Sequence, residues 1–266
     1  MKIVWLSLSL LLLAGCEPEQ QTVAQICKDT PGVCTDLNED SHCNVQRRDV
    51  IIDRVAESKL PSDKNKYKLL IAFEKYSKCI ELASGIEHIK LKEKTTSRVN
   101  GFLTSLREIK RLTEETVSSD DPNLLQYHWS RHQSQSHLDK FLVAEKNKQL
   151  ETPELQIALA SYYMKRDAKK TIDILHHALS LYPADAEIDP EIYTALTTIY
   201  YKQRNYQLSM LWALVAEDAG IERIEFSRIK TELKDLKIDT DPIESLADDT
   251  IDSIKAGQFK VPVFTK

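Results

Sequence analysis

Glycine is scarce in this chain: six residues in 266, one of them Gly15 near the start. So little glycine leaves no loop able to bring backbone N–H groups against a phosphate, and nucleotide chemistry has no evident seat. Two other signatures are missing, the G-x-S-x-G nucleophile elbow and the H-E-x-x-H zinc helix. No C-x-x-C pair occurs and the cysteine spacings are irregular, which argues against structural zinc. Positive charge is not in excess. The formal net charge is −5, so a concentrated basic face for nucleic acid is not expected. The longest apolar run, Ile3 to Leu13, falls short of the roughly 20 residues that span a bilayer. No stretch alternates apolar and polar residues for long enough to argue a sheet.

What the chain does have is an address. Lys2, the apolar run and Leu13-Ala14-Gly15-Cys16 together describe a secretory leader over residues 1–15. The last four residues resemble the lipobox of bacterial lipoproteins. That resemblance implies cleavage before Cys16, diacylglycerol on its sulfur and acylation of the new amine, enough acyl chains for a stable membrane anchor. In such lipoproteins an aspartate after the cysteine marks retention at the inner membrane. Glu17 stands here, and the expectation is the outer membrane, facing the periplasm. Residues 16–26 read as a lipidated tether, polar and without periodicity from Glu17 to Gln21.

Beyond Cys16 four cysteines remain, Cys27, Cys34, Cys43 and Cys79. An even number in an oxidising compartment predicts two disulfides, with three connectivities open. Asn38 to Ser58 reads as a helix, Leu60 to Asp63 as its turn and Lys64 to Ala83 as a returning helix. Cys43 and Cys79 lie about equally far from that turn, so the hairpin favours Cys43–Cys79. Cys27–Cys34 then closes a small loop around Pro31-Gly32.

Helix starts recur as a capping side chain before proline: Asp121-Pro122, Thr152-Pro153, Asp189-Pro190 and Asp241-Pro242. Apolar residues follow at i, i+3, i+4 and i+7, as in Leu155, Ala158, Leu159 and Tyr162. Val99, Phe102, Leu103 and Leu106 fit the same template and read as a helix with one apolar face. The chain is expected to be all-α. Tyr162 to Pro183 and Tyr200 to Gly220 are two similar segments that resemble tetratricopeptide repeats, with Tyr162 and Tyr200 at the aromatic position and Ala178 and Ala216 at the small one. Thr171 and Ser209 depart from the alanine expected there, and Leu159 and Thr197 from glycine or alanine. The expected architecture is helical hairpins, disulfide-braced over 27–150, leading into a tetratricopeptide-like α-solenoid with capping helices over 151–257. A tail occupies 258–266.

The opening Ile26-Cys27-Lys28-Asp29-Thr30-Pro31, then Cys34-Thr35-Asp36-Leu37-Asn38-Glu39-Asp40, Cys43 and Arg48, resembles a family of gamma-proteobacterial lipoproteins catalogued as domain of unknown function 2989. The resemblance implies no activity, since that family has none assigned.

Candidate sites are few. His128 and His132, four apart on a helix, have metal-ligand spacing, with His137 and Asp139 nearby; they are weak candidates beside a solvated polar helix. The pairs Glu114-Glu115, Asp120-Asp121 and Asp248-Asp249 stand near helix ends, where acids interact with the dipole. Lys90, Lys92, Lys94, Arg98, Arg107, Lys110 and Arg111 form a basic run suited to anionic headgroups or to a charged outer face. Seven of ten tyrosines fall between Tyr162 and Tyr206, and Tyr163, Tyr193 and Tyr201 are candidates for a concave peptide-binding groove. The expectation is a lipid-anchored adaptor that binds an envelope protein or peptide, without catalysis, cofactor or nucleic acid. A cell-wall hydrolase, a metal-dependent enzyme and a purely structural component are the alternatives.

Overall fold

The computed structural model describes residues 21–87, 92–221 and 226–264. Twelve α-helices and no strand occur among the described residues. The chain divides into two compact units between Ser119 and Asp120. That division lies thirty-one residues before the boundary expected at residue 150, and it gives the helices of 122–146 to the second unit.

The first unit contains α1 (Val23–Asp29), a 3-10 turn (Pro31–Val33), α2 (Asn44–Lys59), α3 (Asp63–Ser84) and α4 (Lys92–Thr116). Its disulfides are Cys27–Cys34 and Cys43–Cys79. The Ser62 hydroxyl starts α3 by accepting the Asn65 N–H at 3.3 Å. Val50 and Ile51 of α2 meet the core with Leu69, Leu70, Phe73, Tyr76 and Ile80 of α3.

Helix α2 begins at Asn44, six residues later than the sequence pattern predicts. Asn38 is the reason. Its buried side-chain amide donates to the Asp40 carbonyl, the Asp40 Oδ1 and the His42 carbonyl at 2.8–3.2 Å, so residues 38–42 are held as a loop. Such local side-chain bonds offer the backbone an alternative to the helix. Cys43 then takes a left-handed φ of 57° before the helix begins.

Helix α4 also departs from expectation. The template Val99, Phe102, Leu103 and Leu106 does not face the core: Val99, Leu103 and Leu106 are 39%, 55% and 46% exposed. The buried side is polar and small, with Arg98, Gly101, Thr104, Ser105, Leu112 and Thr116. Arg98 is 1% exposed, and its Nε donates to Asp40 Oδ2 at 2.6 Å. Gly101 lies where a Cβ would strike the Tyr76 hydroxyl and the Asn38 backbone nitrogen. The loop thus needs both a cation and close approach from α4, and these turn the leucines outward.

The second unit is a succession of hairpins: α5 (Pro122–His132) with α6 (Gln135–Lys146), α7 (Pro153–Tyr163) with α8 (Ala168–Ser180), and α9 (Glu191–Lys202) with α10 (Tyr206–Asp218). Helix α7 packs on α5 and α9 on α8, while α10 carries α11 (Phe226–Asp235) and α12 (Asp241–Lys255). Asp121, Thr152, Asp167 and Asn205 cap their helices by side-chain bonds to backbone N–H groups. Asp189 bonds the Glu191 N–H at 2.9 Å from two residues before α9, and Asp241 is itself the first residue of α12 rather than its cap. One core runs through the stack, including Phe141, Leu159, Leu175, Leu196, Leu211, Trp212, Leu233 and Ile243. Thr171 and Ser209 are fully buried, and their hydroxyls donate to the carbonyls of Asp167 and Thr197 at 2.8 and 3.0 Å. Polar atoms at these close-packed sites are therefore satisfied.

The tail lies against the body. The Asp185 N–H donates to the Lys255 carbonyl at 3.0 Å, and Gly257, at φ 64°, lies where any Cβ would meet Pro183 and Ala184. Phe259 then stands over His176 and Trp212, with ring centroids 5.7 and 6.2 Å away.

Two stability differences follow for the first unit. Cys43–Cys79 closes a loop of 36 residues and Cys27–Cys34 one of 7. Replacing the former pair by serine is expected to cost about 3 to 4 kcal/mol and the latter about 2 kcal/mol, measured by urea unfolding. Arg98→Ala, which removes a buried guanidinium and leaves the half-buried Asp40 carboxylate without its cation, is expected to cost about 3 to 5 kcal/mol. Equal effects of the two cysteine replacements, or an unchanged midpoint for R98A, contradict this account.

Candidate functional site

The most site-like feature of the second unit is a groove of about 430 Å³ along α9. Its floor is Thr194, Ala195, Thr198 and Ile199, and Met164 and Ala168 form the opposite wall. Glu191 stands at one end of the α9 face, and Lys202 with Gln203 at the other. The two charges are eleven residues apart, so about 16 Å separates them along the axis, the length of about five extended residues. The floor backbone is helical and its N–H and carbonyl groups are already bonded. Recognition here therefore rests on side chains: an apolar centre between an acid and a base.

The tyrosines expected to line a groove stand elsewhere. Tyr193 is 4% exposed and stacks on Trp212, a core position, and burial pushes its hydroxyl pKa up. Tyr163 is half-buried; its hydroxyl donates to Glu145 Oε2 at 3.1 Å, and Lys170 Nζ lies 3.9 Å over its ring while pairing with Glu145. It ties α6, α7 and α8 together. Tyr201 packs edge-on against Tyr206 at 5.4 Å. None of the three lines the α9 groove.

The histidines form a stack of rings. His137 lies on His128 with centroids 4.6 Å apart, and His132 is 5.8 Å from His128. His128 and His137 are buried, and the Ser134 hydroxyl sits 2.6 Å from His137 Nδ1. Stacked rings set their nitrogens side by side rather than at one point. No group of three His, Cys, Asp or Glu able to hold a metal ion occurs among the described residues.

The acid pairs and the basic run separate into structural roles. Glu115 bonds Lys66 at 2.9 Å and Arg111 at 3.0 Å, and these bonds hold its carboxyl below the usual range. Asp121 caps α5, whereas Asp120 pairs with Lys140. Asp248 and Asp249 are exposed on α12. Of the basic run, Arg98 is buried on Asp40, Arg107 reaches Asp36 at 3.4 Å and Arg111 meets three glutamates. Lys90 and Cys16, the residue expected to carry lipid, lie outside the described residues.

Two polar centres carry no motif in the sequence. In the first, Asp36, Asn38 and Asp40 alternate along the loop after Cys34. Asp36 takes two bonds from Arg54 at 2.6 and 2.9 Å. Burial works to raise the Asp36 and Asp40 carboxyls, but their hydrogen bonds and arginine partners outweigh it and hold both below the usual range. In the second, His176 Nε2 and Trp212 Nε1 are buried side by side with no hydrogen-bond partner among the described residues. Burial pushes the His176 pKa down to about 4, with Asp173 acting weakly the other way.

The sign for His176 is clear. The unfolded chain binds a proton that the folded chain refuses between the ordinary pKa of 6.5 and about 4. Stability from this group is complete above 6.5 and falls as the pH drops toward 4. The loss is of the order of 3 kcal/mol. His176→Leu is expected to flatten that part of the pH–stability curve relative to the parent, by urea unfolding at pH 7 and pH 4.5. Parallel curves contradict the assignment.

Comparison with known proteins adds one match. No curated protein and no solved structure matches the chain. A family model described as protein of unknown function (DUF2989) covers residues 13–214, ending within α10. By that extent, the chain belongs to the DUF2989 family.

Proposed function

We propose that this protein is an envelope lipoprotein with an adaptor role. It is carried on lipid through Cys16 at the periplasmic face of the outer membrane, and its second unit holds a segment of another envelope protein in the α9 groove. The two parts have separate support. For export, the leader and Leu13-Ala14-Gly15-Cys16 agree with two disulfides, which belong to an oxidising compartment. For binding, the observation that carries the reading is the groove itself, a helix face left open along the stack with opposite charges at its ends.

The stack is read as tetratricopeptide-like. Ala178 and Ala216 are fully buried at the small position, and the groove lies on the first helix of its hairpin. A fitting occupant has an apolar centre of a few residues, a cation for Glu191 and an acid for Lys202. Binding is favoured over catalysis because the groove pairs a single carboxylate with a distant amine and contains no nucleophile beside a base.

A photo-reactive residue at Thr198 in the living cell is expected to trap one discrete partner, and Ala195→Arg introduced with it to abolish the adduct. The same probe at Lys169, exposed on α8, is expected to trap none. No adduct at 198, or one indifferent to A195R, refutes the groove. Separately, Cys16→Ser is expected to remove palmitate labelling and release the protein from the membrane fraction. A parent chain that never takes up palmitate refutes the anchor and leaves the groove untouched.

A further inference from the structure

Val99, Leu103 and Leu106 form an apolar stripe on the solvent side of α4, a helix whose buried side is led by Arg98, Gly101, Thr104 and Ser105. In an ordinary surface helix the two sides are reversed. Exposed lysines close the stripe at both ends: Lys92 about two turns before Val99, and Lys110 about one turn after Leu106. Lys110 is only loosely paired, 3.9 Å from Glu114, and both side chains are largely exposed. Ile86, 47% exposed, extends the patch at its N-terminal end, where the Thr95 hydroxyl donates to the Ile86 carbonyl at 3.4 Å. Apolar side chains flanked by lysines along one helix face are the composition of an interfacial helix.

We propose that this face of α4 rests on an anionic phospholipid surface. Two observations select lipid over a second copy of the chain. The first is charge. Pairing two stripes leucine to leucine sets Lys110 against Lys110 in the parallel sense and against Val99 in the antiparallel sense, so the position directly opposite it holds no carboxylate. Phosphate headgroups supply that complement along the whole stripe. The second is reach, and it rests on the Cys16 reading above. Seven residue steps separate Cys16 from Val23, the first residue of α1, so the first unit lies at most about 25 Å from its anchor. Lipid at Cys16 therefore holds the first unit close to a membrane, and the high local concentration of lipid lets the weak grip of three apolar side chains suffice.

The test uses the chain from residue 17 to 266, which carries no lipid, so its outcome is independent of the anchor. Flotation with phosphatidylethanolamine–phosphatidylglycerol vesicles is compared with flotation on phosphatidylcholine vesicles. The chain is expected to float with the anionic vesicles and not with the neutral ones. L103Q/L106Q and K92E/K110E are each expected to reduce partitioning about tenfold. All four side chains point outward, and an unchanged far-UV circular dichroism spectrum checks that the variants fold. Three results overturn the proposal: no flotation of the parent, equal flotation of L103Q/L106Q, or a dimer in sedimentation without vesicles that L103Q/L106Q converts to monomer. Failure of the Cys16 reading shows elsewhere, as absence of palmitate on the chain made in cells.

Discussion

The first unit is organised around one cation with almost no access to water. Moving a guanidinium into such a place costs several kcal/mol unless every donor finds a partner. Each of the three guanidinium nitrogens of Arg98 has one: its Nε reaches Asp40, one terminal nitrogen the Ala83 carbonyl and the other His42 Nδ1. Asp40 in turn accepts from the Asn38 amide and the His42 N–H, and Asn38 exchanges two bonds with the Tyr76 hydroxyl. Residues 38–42 are thereby clamped to α3 and α4, and Cys43–Cys79 secures the end of the same loop to α3. Apolar collapse alone would have turned α4 the other way. Its leucines face outward because the polar network holds the opposite side, so the surface assigned to lipid is a direct consequence of the buried ion pair.

The second unit solves a different problem. Each hairpin buries two faces, and close helix approach demands small residues where helices cross. Ala178 and Ala216 supply them without polar cost, while Thr171 and Ser209 fill similar positions by returning their hydroxyls to backbone carbonyls. A buried hydroxyl left unpaired costs about 1 to 3 kcal/mol, so the two bonds decide whether these residues are tolerated. His176 and Trp212 are the exception. His176 Nε2 and Trp212 Nε1 are buried with no hydrogen-bond partner among the described residues, and the compensation comes from ring stacking at 5.6 Å and from cover by Phe259.

These contrasts explain what could be read from the chain. The all-helical class, the caps at Asp121 and Thr152 and the two hairpins after Thr152 were legible, because 3.6-residue periodicity and capping chemistry are local. Cys43–Cys79 was legible as well, since a hairpin fixes which residues lie opposite each other. The rotation of α4 was not. Val99, Leu103 and Leu106 obey the template that buried faces obey, and the facts that reverse it, Asp40 beneath Arg98 and Tyr76 beneath Gly101, are long-range. Tyr193 failed as a groove residue for a related reason. Tyrosine suits a binding rim and an aromatic core equally well, and Trp212, which claims it for the core, is nineteen residues away. The α9 groove has no signature in the sequence, because Thr194, Ala195 and Thr198 are too plain to mark a site; only their shared place on one open face makes one.

The family match ends at residue 214, inside α10, yet α10 cannot end the stack by itself. Trp212 is fully buried, and ring contacts reach it from α8, α9 and the tail. Without cover, α10 would expose Leu211, Trp212 and Val215 to water, and a stack of hairpins needs a terminal element with one apolar and one polar side. Helix α12 provides Ile243, Ala247 and Ile254 inward and Asp248, Asp249 and Asp252 outward. The tail then completes the cover with Phe259. A cap of this kind asks for amphipathic pattern and little else, whereas the loop around Arg98 asks for particular atoms at particular places. That difference in stringency separates the two ends of the chain: residue identity governs the cysteine-braced beginning, and pattern governs the end.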